Sequence, residues 1–222
     1  MRRGDVARHY HREGYATVVL AGAFTEAGFA GRHQVTPGDV LLHDAFDAHA
    51  NHAASRTAPK ILRVPWSCEA GEGRFRIADP DRLAVLCERD PFEAMAHLRA
   101  ERIPVAVGAT HWTQRLAQAL AHDPGLCLRT WAETHSLSPE AVSRGFRRAF
   151  GTTPSRFRLE ARTRDAWRAL RGSSSPLTQI AHAQGFADLA HMSRSVHAFT
   201  GTTPSAWRRG QLRSSVDAMR AG

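Results

Sequence analysis

Two sets of side chains in this 222-residue sequence are spaced to do chemistry. In VSRGFRRAFG, Val142 to Gly151, the arginines Arg144, Arg147 and Arg148 fall at helical intervals, and MSRSVHAFTG, Met192 to Gly201, puts Arg194 fifty residues after Arg144. Guanidinium groups pair in two-pronged fashion with phosphates and guanine edges, so this set points to nucleic-acid recognition. The second set is a crowd of histidines, His9, His11, His33, His43, His49 and His52. Imidazoles at alternate positions of a strand project to one face and can ligate a divalent metal, with Glu13 or Glu26 as the nearest carboxylates. On the other reading His43 and His49 line an effector pocket or satisfy buried hydrogen bonds, and His9 and His11 sit on a poorly ordered start. No nucleophile, base and orienting group stand out as a set, so no catalytic residue and no enzyme is expected.

The arginines need helices to present them. LRTWAETHSLSPEAVSRGFRRAFG reads as a short helix, a turn, and a second helix capped by Ser138 with Pro139 in its first turn. Val142, Phe146 and Ala149 share one face, leaving Ser143, Arg144, Arg147 and Arg148 outside it. PLTQIAHAQGFADLAHMSRSVHAFTG repeats this logic with Asp188 as cap and Met192, Val196 and Phe199 facing inward. Each unit ends in GTTPS, which stops one helix and caps the next. A connecting helix over about residues 155–170 would be about 24 Å long, and with helices packed about 8 to 10 Å apart the two arginine-bearing helices would stand about 34 Å apart. That is one turn of duplex DNA, so one chain could place two helices in successive major grooves. Glu140, Ser143, Arg144, Arg147 and Arg148 are the candidate DNA contacts of the first unit. Those of the second are Asp188, His191, Arg194, Ser195 and His197, although Asp188 also reads as a helix cap. A structural ion pair within each unit is the competing role for Arg144 and Arg194.

Charge follows the same division. Residues 1–124 carry 15 basic and 15 acidic side chains, whereas residues 125–222 carry 15 against 6, so the whole excess of +9 lies beside the paired helices. Such an excess supplies nonspecific attraction to phosphate. Cys68, Cys87 and Cys127 are too scattered for a disulfide framework or a thiolate zinc site and read as small buried groups. No apolar run is long enough to span a bilayer and no signal peptide is evident, so a cytoplasmic protein without membrane contact is expected.

The neutral half reads as β-structure: YATVVLAGAF, GRHQVTPGDVLLH and APKILRVPW are short β-rich runs between Gly and Pro turns. Helical periodicity starts near Asp79, giving helices at about 80–89, 91–102 and 110–122. Leu83, Val85, Leu86, Phe92, Met95 and Leu98 form an apolar stripe that packs either on the β-domain or on a second copy of the chain. The fold class is therefore α+β: a small N-terminal β-barrel or jelly roll over 1–78, a helical linker over 79–123, and an all-α tandem helix-turn-helix domain over 124–211.

From Cys127 to Arg209 the sequence resembles the AraC/XylS family of transcriptional regulators. The resemblance rests on WAETHSLSPEAVSRGFRRAFGTTPSRFR, on IAHAQGF with the following Asp188 and Ser193-Arg194, and on TGTTPSAWR. It implies two helix-turn-helix units joined by a long helix, with Arg144 and Arg194 in the family's recurrent Ser-Arg pair. The chain departs from its own repeat at Val196 and Thr200, where the first unit has Phe146 and Phe150, and Phe199 is expected to compensate. TPGDVLLHDAFDAHAN resembles the second half of a cupin, and His9-x-His11 with His49 resembles the cupin metal arrangement. The family implies a cupin-like effector domain, a small-molecule effector, RNA polymerase as a partner and, for the linker helices, a homodimer. No cofactor is required for this reading, and a divalent metal at His9, His11 and His49 is the one the histidines suggest.

The principal expectation is a sequence-specific DNA-binding regulator modulated at its N-terminal domain. Its alternatives are a cupin-type metal-binding protein or enzyme fused to a DNA-binding domain, and a DNA-binding protein whose β-domain only assembles. Metal content with turnover would favour the second, and DNA affinity indifferent to any ligand the third.

Overall fold

The computed structural model describes residues 5–54, 57–66, 73–105, 111–123 and 125–210. The β-rich runs form strands β1 (Val6–His9), β2 (Tyr15–Ala21), β3 (Phe24–Gly28), β4 (Gly31–Val35), β5 (Asp39–His43), β6 (His49–Ala53), β7 (Lys60–Pro65), β8 (Gly73–Arg76) and β9 (Ile103–Pro104). They pair in two antiparallel sheets, ordered β1-β6-β3-β4 and β7-β2-β5-β8-β9. Of the two expected forms the strands take the two-sheet one, since their ladders, among the described residues, do not close into a cylinder. A cylinder needs one continuous stagger of strands around its axis, whereas each of these ladders ends on strands of its own.

Strand β2 shows why its sequence is an unbroken apolar run. Ala16 and Val18 point outward with Val40 and Leu42 of β5, and are covered by Leu83 of α1 (Pro80–Arg89) and Ala94 and Leu98 of α2 (Pro91–Ala100). Val19 points the other way, packing between the sheets with Phe24, Val35 and Leu41. Asp79 and Asp90 cap the two helices, and Pro80 and Pro91 occupy their first turns. The apolar stripe is accordingly divided: Leu83 and Leu98 are fully buried, but Val85 and Phe92 remain 56% and 76% exposed. Two short helices reversing at Asp90 each present their own face, so the six residues do not align.

The rest is helical: α3 (Trp112–His122), α4 (Leu128–Thr134), α5 (Pro139–Phe150), α6 (Pro154–Gly172), α7 (Leu177–Ala183) and α8 (Leu189–Thr200), with residues 204–210 helical beyond them. No helix of the described residues is long and apolar enough to cross a membrane. The first core gathers Leu116, Leu120, Trp131, Val142, Phe146, Phe150 and Phe157. Helix α3, expected in the linker, packs into this core, which Ala27, Phe29 and Ala48 of the β-region also enter. The second core gathers Ala166, Leu170, Ile180, Phe186, Met192 and Val196. Gly151 and Gly201 end α5 and α8 in the left-handed conformation, at φ 69° and 76°, which glycine adopts without Cβ strain. Thr153 and Thr203 then accept hydrogen bonds from the amides of Arg156 and Ala206, so both GTTPS segments act as stop and start. Phe199 does not compensate for the smaller core of the second unit. It turns to Phe46 of the β-domain, while the Thr200 hydroxyl donates to Val196 O and accepts from the Trp207 indole N–H. Cys127 is exposed, against expectation, because it stands before the first turn of α4, and Cys87 is half-buried. Cys68 lies outside the described residues.

The two parts are joined along α6. Arg8 Nε donates to Glu160 Oε2 at 2.8 Å, Arg164 Nη1 lies 2.9 Å from Asp47 Oδ1, and Arg168 Nη2 lies 2.7 Å from Asp44 Oδ2. Phe29 meets Phe157 at 5.1 Å between ring centroids, and Phe46 meets Trp167 at 4.8 Å. Burial lowers the Arg8 pKa from its ordinary value, and Glu160 opposes that shift. Removing one member of a buried pair leaves the other uncompensated, so Glu160→Ala is expected to cost about 3 to 5 kcal/mol. Urea unfolding of the full chain checks this, and a loss below about 1 kcal/mol, the value of a surface pair, would contradict it.

Candidate functional site

Helix α5 starts where the Ser138 hydroxyl accepts from the Ala141 amide at 3.1 Å, and it ends at Gly151. Its apolar residues Val142, Phe146 and Phe150 are buried, which turns Glu140, Ser143, Arg144, Arg147 and Arg148 to solvent. In α8 the Asp188 carboxylate accepts from the His191 amide at 2.6 Å, so Asp188 is a cap. Arg194 and His197 are exposed, whereas His191 and Ser195 are half-buried. The fifty-residue offset explains this difference. Glu140, Ser143, Arg144 and Arg147 correspond to Ala190, Ser193, Arg194 and His197, which form the equivalent face of α8. His191 and Ser195 lie on its flank, lining a cleft of about 310 Å³ with Tyr10, Leu159, Thr163 and Phe199. Ala190 and Ser193 are not among the candidate contacts above, although counting fifty on from Glu140 and Ser143 finds them. Among the described residues no carboxylate comes within ion-pair distance of Arg144 or Arg194, and Glu140, whose pKa is lowered first by backbone and Ser138 hydrogen bonds, also feels the Arg144 charge.

The flank of α5 is supported differently. A Cβ on Gly145 would fall 2.5 Å from the Trp112 indole, so only glycine lets α3 approach this closely. Arg148 shares the adjoining hollow of about 580 Å³ with Trp112, His111 and Arg32.

The histidines of the β-domain meet in space. His9 and His49 are cross-strand partners on β1 and β6, and Tyr15 and His43 on β2 and β5. Ring centroids lie 4.4 Å apart for His9 and His49, 5.7 Å for His11 and His49, and 4.6 Å for His43 and His49. Within each of two sets, His9/His11/His49 and Glu26/His43/His49, the potential ligand atoms lie within 4.8 Å of one another. The carboxylate in the cluster is Glu26, from β3, while Glu13 is exposed outside it. His33 instead bonds the Ala30 carbonyl at 3.0 Å. His43 and His49 are 4% and 3% exposed and face the space between the sheets. Burial, reinforced by neighbouring histidines, pushes the His43 pKa down to about 3 and that of His49 to about 2. Burial, with Asp47 nearby, pushes Glu26 up to about 8. The 3.5 Å contact of His43 Nε2 with Glu26 Oε2 therefore joins two neutral groups at neutral pH. The imidazoles keep their lone pairs available.

Residues 131–210 match a family model described as a helix-turn-helix domain. No curated protein matches the sequence. Among solved structures, an AraC-type transcriptional regulator from Chromobacterium violaceum is 27% identical, over 45% of this chain and 89% of that one, with a TM-score of 0.41. The DNA-binding domain of AdpA in complex with a target DNA is 23% identical over 46% and 93%, at TM-score 0.42. ToxT from Vibrio cholerae is 8% identical over 92% of each chain, at TM-score 0.46.

The buried neutral groups set a pH dependence. Below the ordinary histidine value of 6.5 the unfolded chain takes up protons that folded His43 and His49 refuse, so stability falls as pH drops. Between 4.5 and about 8 the unfolded Glu26 is ionised while the folded one stays protonated, so its contribution falls as pH rises. With a chelator present, stability is expected to peak near pH 6.5, and Glu26→Gln is expected to remove the decline towards pH 8. Urea midpoints across pH 5 to 9 test this, and an unchanged alkaline limb in the variant would contradict it.

Proposed function

We propose that this chain, whose residues 131–210 are a helix-turn-helix DNA-binding domain of the AraC type, is a sequence-specific transcriptional regulator that lays α5 and α8 in successive major grooves. The observation that carries this reading is the placement of Arg144 and Arg194 at equivalent and exposed positions of the two repeats. Helix α6, with 19 residues, is about 28 Å long, a span compatible with one helical turn of duplex between the two reading helices. The excess charge of the C-terminal part supplies attraction to the DNA backbone.

The finer parts of the proposal concern control. A small-molecule effector would act at the β-domain, where a hollow of about 360 Å³ is bordered by His11, Tyr15 and Arg63, with Tyr15 stacked on His43 at 4.5 Å. RNA polymerase is the partner that a DNA-bound regulator would recruit or exclude. A homodimer through α1 and α2 would use Val85 and Phe92, the members of the stripe left on the surface. Cytoplasmic location accompanies this function.

Selection of a randomised duplex library by the full-length protein is expected to recover two motifs about one helical turn apart. Arg144→Ala and Arg194→Ala are each expected to weaken specific binding by about 1 to 3 kcal/mol and to relax one motif apiece. Recovery of no motif, or of the same motifs by the double variant, would overturn the assignment.

A further inference from the structure

Three side chains in a row across the sheet beneath α5 end on an arginine. Ala50 of β6, Ala27 of β3 and Arg32 of β4 are successive cross-strand partners, so they project from one face. Helix α5 packs on β3, with Ala27 in the same core as Phe146 and Phe150. A Cβ on Gly151, where α5 ends, would stand 3.5 Å from the Ala50 Cβ. The C-terminal half of α5 thus lies on this row, and Arg32 emerges beyond it, exposed, from the edge strand. The turn before Arg32 is pressed against α3, since a Cβ on Gly31 would fall 2.8 Å from Gln114 Nε2. Strand, helix and hairpin therefore hold Arg32 in a fixed place beside α5.

Arg32 borders the hollow of about 580 Å³ from β4, Arg148 borders it from α5, and the first turn of α3 lines it with Trp112, Thr113 and Gln114. No carboxylate is among its lining residues. Arg8, Arg164 and Arg168, which also stand where sheet meets helices, each pair with a carboxylate. Arg32 and Arg148 have no hydrogen bond or ion pair among the described residues. The start of α3 adds the partial positive charge of a helix N-terminus to theirs. Two guanidiniums facing one hollow, with no acidic side chain between them, leave room for an anion.

We infer that Arg32 and Arg148 bind the phosphodiester backbone of the duplex, so that the DNA interface runs from α5 across the hollow onto the β-domain. This rests on the reading of α5 as a helix that enters the major groove. A helix about 10 to 12 Å across fills a groove about 12 Å wide, so the phosphates bordering the groove run along the flanks of the helix. The hollow is one such flank. Arg144 and Arg147 are exposed on the face that meets base edges, and Arg148, the next residue, turns to the hollow. The surface is therefore continuous with the face already assigned to DNA, and its charge is complementary to phosphate. Contacts of this kind fix the register and orientation of a protein on the duplex without reading sequence. Residues 1–124 carry no net formal charge, so the β-domain takes part through one placed cation and not through its overall charge.

The test uses the full-length protein and a fluorescent duplex of arbitrary sequence, with affinity measured by anisotropy between about 50 and 200 mM salt. Arg32→Gln is expected to weaken binding about two- to fivefold, the range of one exposed charge pair, and to make the slope of log affinity against log salt shallower by about one. Arg148→Gln should do the same, and the double variant should lose about two units of slope. Arg32→Lys, which keeps the charge, should keep the slope. Lys60→Gln removes the same charge from β7, on the other sheet, and should leave the slope unaltered. An unaltered slope in Arg32→Gln, or an equal loss in Lys60→Gln, would overturn the contact. With an operator in hand, Arg32→Gln should weaken all sequences alike, and ethylation of phosphates beside the α5 motif should impair binding of the parent protein but not of Arg32→Gln. A changed motif in that variant would likewise overturn the backbone assignment. A parent protein that binds no duplex would overturn the regulator reading together with this contact. A slope that differs from expectation only in Arg32→Gln would overturn the contact alone.

Discussion

Helix α6 carries charges in its middle that water cannot reach, and the chain solves this by bringing partners from another part of the sequence. Glu160 and Arg164 are 8% and 5% exposed, on a helix that must also supply Phe157, Ala161, Ala166 and Leu170 to two separate cores. On the turns so used no free side is left to solvate these two ions. Arg8 and Asp47, from the β-domain, complete the pairs. The consequence is mutual dependence: the helical part supplies the rod between α5 and α8, and the β-part stabilises the charges buried along it.

Much of the helical half was legible because its signals are local. Ser138, Pro139 and Gly151 define α5 from within its own sequence, and the repeated GTTPS announces the same device a second time. Where the reading was less exact, distance in sequence was responsible. Nothing near residue 112 says that α3 shares a core with Phe146, because that contact depends on Gly145 having no side chain to keep the Trp112 indole away. Phe199 reads as a core residue of its own unit, and it is buried, but against Phe46, a residue whose position follows from folding of the β-domain.

The histidine cluster shows the same boundary between local and global information. Alternation within a strand indicated that His9 and His11 share a side. That His9 faces His49, and that Glu26 rather than Glu13 lies beneath, depends on strand register and on the order β1-β6-β3, which the sequence does not state locally. Burial then gives these groups their chemical character, keeping imidazoles neutral and a carboxyl protonated at pH 7.

The repeat also has a direction. Its two units follow one another along a single chain, and their outward faces differ: Glu140, Ser143, Arg144 and Arg147 on one, Ala190, Ser193, Arg194 and His197 on the other. Two-fold symmetric dimers read palindromes because each subunit presents the same surface to its half of the site. α5 and α8 do not present the same surface. A duplex recognised by this domain would carry two unlike half-sites in a fixed order, and the bound protein would point one way along the DNA, with its β-domain always toward the same end of the genetic text.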